Sequence, residues 1–231
     1  MTRLMGAPVA ILASALAACA PPLGLQRARV LAPSASQLAG GLELGLVTPD
    51  LGPENNAKIP WLNLSAGYRR GIADGVEVGG RVMMVGVRGF TSLGVAGDVK
   101  LQLLASGDPG RGTDMATGAV LAYQQIRLGG TPWHLSSIAF PLLIGHNLGR
   151  HQFVWGPRLA YELWTGEGQD PIHLFYAGAS AAFAWRVGDS LELVPELAIL
   201  YSPMKFGGEV DAGDRTGATI TQLTLGASWH F

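Results

Sequence analysis

The sequence predicts an all-β chain: an antiparallel, up-and-down transmembrane β-barrel of about ten strands, with eight to twelve fitting the same pattern. Three observations predict it. Charged residues make up only 14% of the 231 residues, against about 25% in soluble domains, and the mean hydropathy is +0.26. Beyond residue 23, Gly and charged residues interrupt every apolar run, so none reaches the ~18 residues of a spanning helix. From about residue 39 onward, apolar and polar side chains alternate with period two. Lipid cannot satisfy a free sheet edge, so a membrane protein without spanning helices closes its sheet into a barrel. Composition also admits a soluble β-sandwich or a lipocalin-like barrel. The net charge of −1 gives no basic footprint for nucleic acid.

Residues 1–18 read as an export signal: Arg3, an apolar segment, then small residues. The segment is too short, and too closely followed by Pro21 and Pro22, for a transmembrane helix. Leu16-Ala17-Ala18-Cys19 resembles the bacterial lipobox and contains the only Cys of the chain. The resemblance implies cleavage before Cys19, lipid on its amino terminus and, with Ala20 next, no retention at the inner membrane. An ordinary signal peptide with an incidental Cys is the alternative. Residues 19–38, with Pro, Ala, Ser and Gln prominent, read as the lipidated Cys and a flexible tether. Residues 39–231 read as the barrel.

The strands follow in order. "GGLELGLV" sets Leu42, Leu44 and Leu46 on one face, and a long polar loop follows. "WLNLSAGYRR" sets Leu62, Leu64, Ala66 and Tyr68 together. In "VEVGGRVMMVGV", Val76, Val78, Val82 and Met84 oppose Glu77, Arg81 and Met83. In "SLGVAGDVKLQLLA", Val95, Val99, Leu101 and Leu103 oppose Asp98, Lys100 and Gln102. Residues 115–128 form a strand whose faces the pattern does not assign. "HLSSIAFPLLIG" and "QFVWGPRLAYEL" flank the turn "HNLGRH"; in the second, Phe153, Trp155, Leu159, Tyr161 and Leu163 oppose Arg158 and Glu162. "IHLFYAGASAAFAWRV" and "LELVPELAILYS" flank "GDS", with Leu191, Leu193, Leu197 and Ile199 opposite Glu192 and Glu196. Pro141, Pro157 and Pro195 each remove a ladder donor and predict bulges or local edges. The long loops at 48–60 and 202–217 fall at one end. "GIADG", "HNLGRH" and "GDS" fall at the other, which carries both termini.

The last strand places Leu223, Leu225, Ala227, Trp229 and Phe231 on one parity up to the final residue. This ending resembles the C-terminal signature of bacterial outer-membrane β-barrels. The resemblance implies a bacterial outer-membrane location, lipid on the outer face, and Trp229 and Phe231 as a signal for the barrel-assembly machinery. The lipobox departs from that family's usual signal peptide.

If the apolar parity faces lipid, the interior set is Arg69, Glu77, Arg81, Asp98, Lys100, Arg158, Glu162, Glu192 and Glu196. Its signs nearly balance, which predicts a salt-bridged network closing a narrow barrel. Glu192 and Glu196 share a strand face at roughly 13 Å, too far to share a proton. His134 and His173 lie near the loop-bearing rim, His146 and His151 flank a turn, and His230 lies at the other rim. No motif joins them to a nucleophile, and neither metal-ligand spacing nor a phosphate loop is present, so no cofactor and no catalysis are expected. The expected role is structural, binding or restricted solute passage, with the solute or surface partner unspecified. A periplasmic lipocalin-like lipoprotein with an apolar ligand would turn the parity inside out. A barrel hydrolase would bring Ser and a carboxylate to His134 or His173.

Overall fold

The computed structural model describes residues 26–49, 58–87, 90–128, 131–203 and 217–231. Cys19, the lipobox and the export signal lie outside the described residues. Ten strands form a closed antiparallel barrel: β1 (Ser36–Pro49), β2 (Ile59–Ala73), β3 (Val76–Val87), β4 (Phe90–Leu104), β5 (Arg111–Leu128), β6 (Thr131–Leu148), β7 (His151–Gly166), β8 (Ile172–Val187), β9 (Leu191–Ser202) and β10 (Ala218–His230). Each strand pairs with its neighbours in sequence, and β1 closes the ring against β10 from Gln37↔His230 to Pro49↔Ala218. At the seam, Ser36 and Phe231 exchange backbone hydrogen bonds of 2.9 and 3.0 Å. The final residue is therefore part of the closure.

At the end that carries both described termini the connections span residues 74–75, 105–110, 149–150 and 188–190. Gly149 and Gly188 turn two of them with φ of 66° and 86°, a conformation that glycine adopts without a Cβ clash. At the far end, β3 passes to β4 through residues 88–89 and β5 to β6 through 129–130. The three strand prolines coincide with interruptions of pairing. The β6–β7 register skips from Pro141↔Arg158 to Ile144↔Trp155, which also leaves Pro157 unmatched there. The β8–β9 register skips from Ala182↔Glu196 to Trp185↔Leu193, around Pro195.

The two faces follow the alternation. Outside lie Leu93, Val95, Leu121, Leu197, Ile199, Leu223 and Leu225, between 43% and 65% exposed. Inside lie Glu77, Lys100, Arg158, Glu162, Glu192 and Glu196, all under 5% exposed. On β5, which the pattern left unassigned, Val120, Ala122, Gln124 and Ile126 point inward, with Leu121 and Tyr123 outward. The arrangement is that of a transmembrane barrel, the reverse of a soluble core. Outward aromatics gather in two belts: Tyr68, Phe153, Trp155, Phe183, Trp185 and Trp229 toward the terminal end, and Tyr123, Tyr161, Phe175 and Tyr201 toward the far end. On β7, Phe153 and Tyr161 are eight residues apart. That is about 27 Å along the strand and about 20 Å along the axis at the usual tilt, close to the height of a lipid-facing band.

The barrel begins at Ser36 rather than residue 39. Residues 26–35, expected as the end of a loose tether, lie against the terminal mouth and are held there by the strand residues described next.

Candidate functional site: a filled interior and an occupied mouth

The charged residues of β2, β3 and β4 meet because the register sets them side by side. Glu77 lies opposite Lys100, and their side chains approach to 2.9 Å. Arg69, Gly79 and Asp98 stand in one row across three strands. Gly79 leaves the space for Arg69 to reach across: a Cβ there would lie 2.9 Å from Asp98 and 3.0 Å from Arg69. Arg69 thus bridges two carboxylates, Glu77 at 2.8 Å and Asp98 at 2.7 Å. Arg81 stands 3.6 Å from Asp98. A second ion pair joins Arg158 of β7 to Glu196 of β9 across β8.

The remaining predicted interior residues stand apart from these groups. Glu162 receives the indole N–H of Trp164 at 3.1 Å and the Tyr176 hydroxyl at 3.4 Å, with no salt bridge among the described residues. Glu192 pairs with Arg27, a residue outside the barrel wall. The set is therefore several local arrangements rather than one network. Sequence reasoning missed two interior acids. Glu43 receives the Asn63 amide at 3.3 Å, and Asp114 receives Ser106 N–H, Asn147 Nδ2 and Gln152 Nε2 at 2.8–3.0 Å. Inward parity, opposite Leu42 and Leu44, was the available signal at Glu43; at Asp114, on the strand left unassigned, there was none.

The far half of the interior holds an apolar cluster beside buried polar groups such as Asn63, Ser92, Gln124 and Glu162. Val47, Trp61, Met83, Ile126, Leu135, Trp164, Leu174, Leu200 and Ile220 form one buried cluster. Where Leu200 of this cluster points inward, its strand is apolar on both faces, with Ile199 and Tyr201 outward, a feature that parity reasoning based on charges did not register.

At the terminal mouth, residues 26–35 cross the opening and bond to five strands. Arg27 pairs with Glu192 of β9 and donates to the Arg150 carbonyl at 2.9 Å. Ala28 N–H donates to Gln152 Oε1 at 2.9 Å and Val30 N–H to Gln102 Oε1 at 2.7 Å. Leu31 N–H donates to Glu77 Oε2 at 3.0 Å. Lys100 Nζ donates to the Arg27 carbonyl at 3.2 Å. Ser34 N–H reaches the Gly71 carbonyl at 2.9 Å. The wall is shaped for this segment. Ala28 is fully buried against Leu143, Val154, Ala182, Ala184 and Val194. A Cβ on Gly145 would lie 2.7 Å from that of Ala28, and one on Gly71 would overlap the Ala32 carbonyl oxygen.

The histidines are placed differently from the expectation for an enzyme. His134 and His173 face outward and meet the hydroxyls of Tyr123 and Tyr161. Neither meets a serine or a carboxylate among the hydrogen bonds of the described residues. His146 and His151 belong to strands rather than a loop. His146 accepts the Trp155 indole N–H at 3.1 Å, and His151 accepts Arg186 N–H at 3.2 Å. His230 lines the mouth.

Fold and interior together define a closed ten-stranded transmembrane barrel with a filled bore and an occupied mouth. No protein-family model matches the chain, and no curated protein matches it. Solved structures resemble it at low identity. Neisserial surface protein A (NspA) is 11% identical, with 85% of this chain and 99% of that one covered and a TM-score of 0.40. The outer membrane protease OmpT from Escherichia coli is 9% identical, with 85% and 96% covered and a TM-score of 0.44. The translocator domain of autotransporter NalP from Neisseria meningitidis is 9% identical, with 96% and 94% covered and a TM-score of 0.42.

Proposed function

We propose that this chain is a small bacterial outer-membrane barrel that serves as a structural or binding element and does not conduct solutes in its resting form. The observation that carries the reading is the occupied bore: an apolar cluster in the far half, ion pairs in the middle, and residues 26–35 across the terminal mouth. Barrels of this strand number have interiors just wide enough for side chains to fill, and open aqueous channels appear at about 16 strands. The outward apolar face with its two aromatic belts supports residence in a bilayer. The inward placement of Asp98 and Lys100, with Val95 and Val99 outward, favours a membrane barrel over a soluble one with an apolar ligand. In this reading the terminal mouth faces the periplasm, and the two longest connections, between β1 and β2 and between β9 and β10, face outward.

Export by residues 1–18, acylation of Cys19 and recognition of Trp229 and Phe231 by the assembly machinery belong to the same proposal. Trp229 and Phe231 are 53% and 64% exposed on the outer face of the closed barrel. Planar-bilayer recording tests the closed bore: the purified barrel inserts without steady current. A stable open conductance overturns the reading. Mass spectrometry of the mature amino terminus tests acylation: a diacylglyceryl-type mass on Cys19 supports it, and an unmodified terminus overturns it.

A further inference from the structure

The contacts at the mouth are mostly made to the backbone of residues 26–35, not to their side chains. Three N–H groups of the segment, those of Ala28, Val30 and Leu31, are received by Gln152, Gln102 and Glu77. The carbonyl of Arg27 accepts from Lys100 Nζ at 3.2 Å, and that of Ala28 from Gln102 Nε2 at 3.4 Å. These receivers come from β3, β4 and β7, so three strands converge on one stretch of main chain. Two guest side chains are read closely: Arg27 by Glu192, and Ala28 by its small apolar recess. The wall also withholds side chains where the guest backbone runs, at Gly71 and Gly145.

We propose that the terminal mouth is a binding site for an extended peptide and that residues 27–31 are its resident ligand. The ligand class follows from the receivers: an extended main chain with a basic residue followed at once by a small one. Main-chain recognition gives affinity with little demand on sequence, as in strand addition at a sheet edge. Glu192 and the Ala28 recess supply the selectivity. A larger residue than Ala at the recess meets Ala182, Ala184 and Val194, and an acid at the Arg27 position leaves Glu192 buried and unpaired, which is strongly unfavourable. The resident segment is covalently attached and competes at high effective concentration. A peptide from another chain with this chemistry therefore enters only when the segment is released. The inference goes beyond the closed-bore reading, since the far apolar cluster blocks passage whether the mouth holds its own segment or another.

The test uses the full chain in detergent with two variants of the resident segment, Arg27→Gln and the double change Arg27→Glu with Ala28→Leu. Both leave every receiver intact. A fluorescent synthetic peptide with the sequence of residues 26–32 is titrated and followed by anisotropy, and heat-modifiable gel mobility reports that each barrel is folded. The expected result is saturable 1:1 binding to the released variants, at least about tenfold weaker binding to the unaltered chain, and a loss of about tenfold or more when the peptide carries Glu in place of Arg27. Adding Glu192→Gln to the Arg27→Gln chain abolishes the preference for Arg over Glu in the peptide. The proposal is overturned if the peptide binds neither folded variant at millimolar concentration. It is equally overturned if binding ignores both the Arg-to-Glu change and Glu192→Gln. If only the milder variant folds, that variant alone decides between these results. A silent bilayer recording with failed peptide binding removes this inference and leaves the closed bore standing; an open conductance does the converse.

Discussion

Replacing Arg69 by Met isolates the energetic role of the interior ion pairs. Arg69 is 5% exposed and holds two carboxylates, Glu77 at 2.8 Å and Asp98 at 2.7 Å. Once it is removed, Glu77 keeps Lys100 at 2.9 Å, while Asp98 keeps only Arg81 at 3.6 Å. Breaking a buried pair on one side leaves an uncompensated charge and costs about 3–5 kcal/mol, far above the ~0–1 kcal/mol of an exposed pair. Arg69→Met should therefore lower the unfolding free energy by about 3–5 kcal/mol. Asp98→Asn in that background removes the stranded charge and should restore at least about 1 kcal/mol, a coupling measurable in a double-mutant cycle. Reversible urea unfolding in lipid vesicles, followed by tryptophan fluorescence, reads both quantities. The loss should persist between about 0.1 and 1 M salt, because a buried pair is little screened. A loss below ~1 kcal/mol, or one that salt erases, would refute the argument that these charges sit inside the wall.

Three further outcomes follow from other parts of the molecule. Gly71→Leu places a side chain where the Ala32 carbonyl lies and should free the mouth segment, so trypsin cuts after Arg27 and Arg29 much faster than in the unaltered chain while gel mobility shows an intact barrel. Leu197→Arg puts a cation on the middle of the outer face, where Leu197 is 47% exposed; it should cost about 2–4 kcal/mol of unfolding free energy in vesicles, and a similar change at Asp189 in a terminal turn near zero. Deleting Phe231 removes its two backbone bonds to Ser36 and should slow folding into vesicles, whereas Phe231→Tyr, which keeps both, should fold at the normal rate.

The strand number, the parity of nearly every strand and the orientation of the long loops were legible because a barrel wall has one side in each of two solvents. Val99 and Lys100 are neighbours in sequence and opposites in chemistry, so their strand announces its faces. The terminal strand is equally plain, from Leu223 to Phe231. The far interior was hidden for the same physical reason. Where Leu200 points inward between Ile199 and Tyr201 outward, both faces are apolar and period two leaves no mark. The mouth segment was hidden because its recognition is by main chain, which any sequence possesses. Its visible signals were indirect: Arg27 and Arg29 in an otherwise uncharged stretch, the doubled alanines of "ASAAFAW" and the glycines at 71 and 145. Glu192 looked like a member of an internal network because parity gives a direction and not a partner. Its cation lies 165 positions away in sequence.

The orientation of the wall is tested most directly by single-tryptophan variants in vesicles whose acyl chains carry bromine. Trp155 and Trp185, 42% and 51% exposed on the outer face, should be strongly quenched; Trp61 and Trp164, 3% and 0% exposed inside, should be nearly unaffected. Equal quenching of the two pairs, or stronger quenching of Trp61 and Trp164, would contradict the account.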